Sequence, residues 1–400
     1  MTGQLVRLPL PGQGGGLLPS DIIACVVALT LGFRLLRQKI KPEMMVLSTL
    51  LVGYLIYALG RAFLGMGSFL SNQDFQIVFA YWLRLATYLL LIPLLMHAAQ
   101  GNQSFASTVR KVFLTSVMCI ALLGIIQLLF IPNLAALKLS GWDPHERRLV
   151  STWLDPNLLG LLFVVAVPFT AALFVKTKEK KYASMLLVLV IALVGTASRS
   201  SFIAVASSVL GVCWLTTILY RRSLSSSVAG VLLMSQISIG LAMVLVILLF
   251  PARFRGLITS DATVSLRKEA LSQAVTRLVE PHALTGVGYN AYQFAAQDEG
   301  LIGDFSIHSR SGTDNTLVTI WVTSGAIGLI VLGMAGTFGW LMTTQNRQPF
   351  VLWVTGSVIA AVFVHSQFVN SGLYGHIIIA LALLTACLYS FKTSSEAYAH

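Results

Sequence analysis

The side chains best suited to chemistry on an anionic substrate lie in one polar interval, residues 251–313, and in the residue that follows it. The interval carries Arg253, Arg255, Arg267, Arg277 and Arg310, with His282 and His308, and leads into Asp314. Guanidinium forks match phosphate oxygens two at a time, which a lysine point charge does not. Asp314 and His308 are the groups beside them that could take a proton from a hydroxyl. Together these types could hold a phosphate-bearing ligand and deprotonate an acceptor next to it. Asp314, like Thr313, is also a natural N-cap for the apolar segment that follows, so capping competes with the role of base.

Other positions join this set. Arg199 is the only charge between Lys181 and Arg221, and Thr196, Ser198, Ser200 and Ser201 surround it with hydroxyls. An arginine at membrane depth costs a few kcal/mol unless it snorkels or is paired, so an anion ligand is the reading preferred here over an interfacial arginine. Arg147 and Arg148 lie between Trp142 and Trp153, which suit an aromatic belt or stacking on a sugar. Asp155-Pro156-Asn157 opens an apolar span, with Asp155 or Asn157 as its cap. Residues 261–280 read as a helix stopped at Pro281, with Val264, Arg267, Leu271, Ala274 and Leu278 on one stripe. That spacing predicts Arg267 on an apolar face, pressed against the rest of the protein. Arg277 and Lys268 lie off the stripe, where solvation suits them. Gly286-Val287-Gly288 reads as a turn, because no strand precedes it to make a dinucleotide fingerprint.

These residues must be positioned by a membrane scaffold. The chain of 400 residues is 56% hydrophobic and only 10% charged, with mean hydropathy +0.80; soluble domains carry about 25% charged residues. A bilayer core needs roughly 20 apolar residues per helix, which gives about eleven spans (10–12). They fall near 19–36, 44–64, 76–98, 111–131, 155–175, 182–197, 200–220, 228–250, 314–342, 350–369 and 375–391. The expected fold is all-α and polytopic. Residues 1–18 form a lead-in without structure, 19–250 hold the first eight spans, 251–313 form one large, partly helical outer loop, and 314–391 hold the last three. Arg61 and Arg84 lie in outer halves of spans and are expected to snorkel. His365 and His376 flank the last turn as packed core residues.

Most lysines fall in loops that alternate to one side, which the positive-inside rule makes cytoplasmic. The opposite side is basic through Arg147, Arg148, Arg199, Arg253, Arg255, Arg267, Arg277 and Arg310. The formal charge of +12 is thus spent on topology and anionic lipid, not nucleic acid. Cys25, Cys119, Cys213 and Cys387 each sit in an apolar span, without metal or disulfide spacing. No P-loop, zinc-protease or serine-hydrolase motif is present, so the expectation is a protein without cofactor or metal.

Several segments in order resemble the O-antigen ligase and O-antigen polymerase family of bacterial membrane glycosyltransferases. They are Asp155-Pro156-Asn157, Thr196-Ala197-Ser198-Arg199-Ser200, Arg267, Pro281 with Gly286-Val287-Gly288, and Asp314-Asn315-Thr316-Leu317 with Gly325-Ala326-Ile327-Gly328-Leu329. The resemblance covers roughly 110–340. It implies transfer of undecaprenyl-pyrophosphate-linked glycan, at the outer leaflet of the inner membrane, onto a glycan or lipid-linked acceptor. It implies that Arg199 and Arg267 contact the donor pyrophosphate; Arg147, Arg148, Asn157, Arg277, Arg310 and Asn315 are the further candidates for substrate contact. Ligases of the family carry a histidine where this chain has Asp314, so either Asp314 is the base, or His308 is, or the protein is not a ligase. A flippase for lipid-linked glycan would instead line a path open to both faces and often shows an internal repeat, neither of which the sequence displays. A non-enzymatic assembly subunit is the third reading.

Overall fold

The computed structural model describes residues 4–6, 8–9, 16–35, 37–136, 145–220, 262–301, 312–345 and 348–396. Twelve α-helices run through them: α1 Pro19–Leu35, α2 Pro42–Leu64, α3 Asn72–Ala99, α4 Gln103–Phe130, α5 Pro156–Thr177, α6 Lys180–Thr196, α7 Arg199–Tyr220, α8 Ala262–Ala274, α9 Tyr292–Asp298, α10 Thr316–Thr344, α11 Pro349–His365 and α12 Gly375–Glu396. Among the described residues, α2, α3, α4, α5 and α10 are long and apolar enough to cross a membrane, and Arg199–Leu210, Pro349–His365 and Gly375–Phe391 are shorter apolar helices. The protein is an all-α membrane protein. The expected span at 228–250 lies outside the described residues. In the lead-in, expected to lack structure, β1 Leu8–Pro9 pairs antiparallel with β2 Gly16–Leu17, and Leu18 behind them is buried.

The chain folds as two compact units, Leu114–Ala262 with Arg347–Phe368, and Thr2–Phe113 with Thr263–Asn346 and Val369–His400. In the first, α5 is central: it packs against α6, α7 and α11, and 78% of its apolar stretch is buried within the protein, against 33% for α2. A helix apolar on every side belongs in the middle of a bundle. Its start follows directly from its sequence. Asp155 Oδ1 accepts from the backbone N–H of Asn157 (2.7 Å) and Leu158 (3.1 Å), and Pro156 takes the first helical position, where no N–H is missed. Asp155→Ala should therefore cost about 1 kcal/mol of stability. Thermal unfolding in detergent checks this, and an unchanged midpoint would show the cap to be idle.

In the second unit α3 packs on α1, α2 and α12, while α2 and α12 both pack on α10. Arg84, expected to snorkel, is paired within the protein. It donates to Asp21 (2.6 Å) and to Gly16 O (2.5 Å), Tyr88 donates its hydroxyl to the same carboxylate, and Asp21 is only 7% exposed. A buried carboxylate is tolerable because the ion pair and these hydrogen bonds replace its lost water.

Helix α10 is broken. At Gly325 the backbone turns to φ 62°, ψ −173°, a region open in practice only to glycine. An unbroken helix would aim Ala326 N–H and Ile327 N–H at the carbonyls of Val322 and Thr323. Here they donate to Ala283 O (2.8 Å) and Leu284 O (3.2 Å), while Val322 O and Thr323 O accept from Val287 N–H and Gly288 N–H (both 2.8 Å). Residues 283–288 thus sit in the gap as a wedge that completes both broken ends. A side chain at Gly286 would strike the backbone of Thr323–Gly325, and one at Gly288 the backbone of Ala62. Such non-helical backbone is tolerated near apolar surroundings only when its polar groups are satisfied within the protein. The second half, 326–344, is roughly 28 Å long at 1.5 Å per residue, close to the roughly 30 Å of a bilayer core. It can cross alone, which leaves Thr316–Ser324 to extend beyond it.

Candidate active-site residues

In the first unit the turn between α6 and α7 presents Arg199. Ala197 adopts the left-handed conformation (φ 47°) and ends α6, and Arg199 is the first residue of α7, where the helix dipole adds positive potential. The turn is held by a polar network. Arg148, 8% exposed, donates from Nε to Thr196 O (2.9 Å) and from Nη2 to Asn157 Oδ1 (3.1 Å). It thereby places a cation on the carbonyls that end α6, where positive charge is favourable. Asn157 Oδ1 also accepts from Ser198 Oγ (3.0 Å). Ser201 Oγ donates to Ser198 Oγ (2.9 Å), and Ser198 and Ser200 meet at 3.1 Å. His365, 0% exposed, meets Ser200 and Ser201 through Nε2 at 3.1 and 3.3 Å. The expected packed histidine is therefore also the α11 anchor of this turn. Arg147 is exposed with φ 51°.

In the second unit the turn before α10 presents Asp314. Either Thr313 or Asp314 was expected to cap α10, but the cap is Asn315, whose Oδ1 accepts from Val318 N–H (3.1 Å). Thr313 is occupied otherwise: its Oγ1 donates to Asn315 O (2.8 Å), and its backbone N–H donates to Thr319 Oγ1 (3.1 Å). The turn is thus rigid on both sides of Asp314, whose carboxylate is left for another partner. That partner is Arg267, with Nε 2.9 Å from Oδ2. The buried Tyr292 at the start of α9 faces the same carboxylate: burial first, then the Asp314 charge, raises its phenol above the ordinary value.

The apolar stripe of α8 holds only in part. Leu271 is half-buried, and Ala274 and Leu278 are buried in a cluster with Ala62, Val279, Val287 and Val322. Arg267 at its upstream end is 45% exposed, so it is not pressed into an apolar seam as its spacing predicted. The burial of the stripe begins a turn later, and Arg267 stands at its open end. After Ala274 the chain passes through a π-turn, Val275–Val279, and a 3₁₀ turn, Glu280–His282, on which Arg277 is exposed as expected.

The structure thus joins Arg148 with Asn157 beside the Arg199 turn, and Arg267 with Asp314. His308 and Arg310 lie outside the described residues. Two contributors were missed by sequence reasoning. Arg61 of α2, expected to snorkel, donates from Nε (3.2 Å) and Nη2 (2.9 Å) to Gly286 O, and Tyr57 donates to Thr285 O (2.8 Å). The only local signal was the glycine at each crossing, Gly286 and Gly325. Among the described residues, no group of three or more His, Cys, Asp or Glu side chains is placed to hold a metal ion.

Comparison with known proteins adds one match and one negative result. A search of curated proteins found none that matches. Residues 183–333 match a family model described as O-antigen ligase. That stretch runs from α6 into the second half of α10 and contains Arg199, Arg267, Asp314 and the wedge. Residues 183–333 of this membrane protein are thus similar to the O-antigen ligase family.

Proposed function

We propose that this protein is a membrane glycosyltransferase that polymerises or ligates undecaprenyl-pyrophosphate-linked glycan at the outer leaflet of the bacterial inner membrane. The observation that carries this reading is the Arg267–Asp314 pair, a guanidinium and a carboxylate held together within the family-matched stretch. Both groups are about half exposed, so a substrate can reach them. The donor pyrophosphate draws Arg267 from the carboxylate to its own oxygens, a better match for the guanidinium fork. Asp314 is then free to accept the proton of the acceptor hydroxyl. The acceptor oxygen attacks the anomeric carbon of the donor glycan as the bond from that carbon to the phosphate oxygen breaks. Undecaprenyl pyrophosphate leaves, its growing charge met by the guanidinium group of Arg267; Arg199, at a helix start within the family-matched stretch, is assigned to an anionic group of the substrate.

The Arg148–Asn157–Ser198 network is assigned to holding Arg199, and Arg147, Arg277 and Arg310 to attracting the anionic donor. In this reading Asn315 shapes the Asp314 turn by capping α10. Arg199→Ala should lower transfer about 100-fold, while membrane insertion and the melting temperature stay close to wild type. Transfer is measured as glycan product from purified protein in lipid, and wild-type rates for this variant would remove Arg199 from the mechanism.

A further inference from the structure

The wedge joins the two halves of the proposed site, and α2 holds the wedge. The Arg267 helix enters the wedge through the turns at 275–282, and the Asp314 turn sits on the first half of α10, which stops at the wedge. All four backbone bonds that bridge the break in α10 come from residues 283–288. Trp321, on that first half, adds a fifth link from Nε1 to Ala283 O (2.9 Å). Two further carbonyls of the wedge, those of Thr285 and Gly286, are taken by Tyr57 and Arg61 one turn apart on α2. The same face of α2 offers Tyr54, whose hydroxyl lies 3.1 Å from Ser324 Oγ beside the break. Ala62 completes the contact, with Gly288 packed against its backbone and its methyl in the apolar cluster of Ala274, Leu278 and Val322.

We infer that Arg61, with Tyr57, is a positioning residue for the transfer reaction: by clamping Gly286 O and Thr285 O it fixes the helix of Arg267 and the turn of Asp314 in one frame. The inference rests on the reading of Arg267 and Asp314 proposed above. It assigns Arg61 a task different from snorkelling and different from binding substrate. Two of its nitrogens, Nε and Nη2, donate to one carbonyl, and a wedge with no strand or helix of its own keeps one geometry only if its carbonyls are held. A guanidinium suits this place because it remains charged and can bond the carbonyl through two nitrogens at once. Lysine could keep one of those bonds, and alanine none.

The test uses the full-length protein in lipid, with its four native cysteines replaced, and two readouts. In the first, Arg267→Cys and Asp314→Cys are introduced together and joined by a short bifunctional thiol reagent, so that crosslinking reports the distance between the two positions without any need for activity. Arg61→Ala should lower the crosslinking rate several-fold, Arg61→Lys should restore part of it, and Tyr57→Phe, which removes one hydroxyl, should give a smaller loss. In the second readout, Arg61→Ala alone should lower kcat for glycan transfer by about 100-fold, as displacements of an ångström do, with Arg61→Lys intermediate. Crosslinking at the unperturbed rate in both the Arg61→Ala and Tyr57→Phe backgrounds overturns the inference, whatever kcat does. Loss of crosslinking combined with full transfer by Arg267→Ala would leave the clamp standing and remove the reading of the site it serves.

Discussion

Replacing Asp314 by asparagine should abolish glycan transfer while leaving donor binding intact or stronger. Asparagine keeps the shape of the side chain, and its amide oxygen can still accept from the Arg267 guanidinium, so a packing role would survive the change. A general base would not, and its loss is expected to lower the rate by about 10²–10⁴-fold. Donor affinity should move the other way, because in the proposed mechanism Asp314 and the pyrophosphate compete for Arg267. An ion pair this exposed is worth about 0–1 kcal/mol, so removing the competitor should tighten donor binding by at most about fivefold. Rate and affinity are separated by measuring single-turnover transfer beside binding of the lipid-linked donor. Wild-type turnover would take the base role from Asp314 and pass it to His308, the other base that the sequence offers.

Arg267→Ala should weaken both. In the proposed mechanism the guanidinium contacts the donor in the ground state and meets more charge as the pyrophosphate leaves, so kcat should fall by about 10²–10³-fold and donor affinity should fall with it. Arg267→Lys should recover little of this loss, since an ammonium cannot engage two phosphate oxygens in one plane. The protein should still fold, because Arg267 is 45% exposed and substitutions at such sites stay within about 0.5 kcal/mol. Unfolding of this variant in detergent, at a temperature where wild type is stable, would instead mark Arg267 as a structural residue.

How much of this was legible in the sequence depended on how local the cause was. The start of α5 was readable from Asp155-Pro156-Asn157 because capping is decided within four residues. The break between α6 and α7 was readable from the polar run at Thr196–Ser201, and the burial of His365 from its place between apolar spans. The cap of α10 was misplaced by one or two residues. Thr313, Asp314 and Asn315 are all capping types, and the choice fell to Asn315 because Thr313 is bound to Thr319. That displacement is what leaves Asp314 for Arg267. The exposure of Arg267 was missed because a helical stripe says which residues share a face and not how far along it the covering layer extends. Arg84 with Asp21, and Arg61 with Gly286, join parts of the chain far apart in sequence. The wedge combines both limits. It needs a break at Gly325 and a loop to fill it, and neither segment alone reveals the other.

The central claim is that the protein itself makes a glycosidic bond from a lipid-linked donor. The most direct measurement is transfer by the purified protein in vesicles, with an undecaprenyl-pyrophosphate-linked glycan as the only substrate and products resolved by length. Longer lipid-linked glycans should form, or glycan on an added lipid acceptor where the protein is a ligase, together with release of undecaprenyl pyrophosphate. Intact donor that merely appears in the opposite leaflet, with no new glycan product, would contradict it and make the protein a flippase.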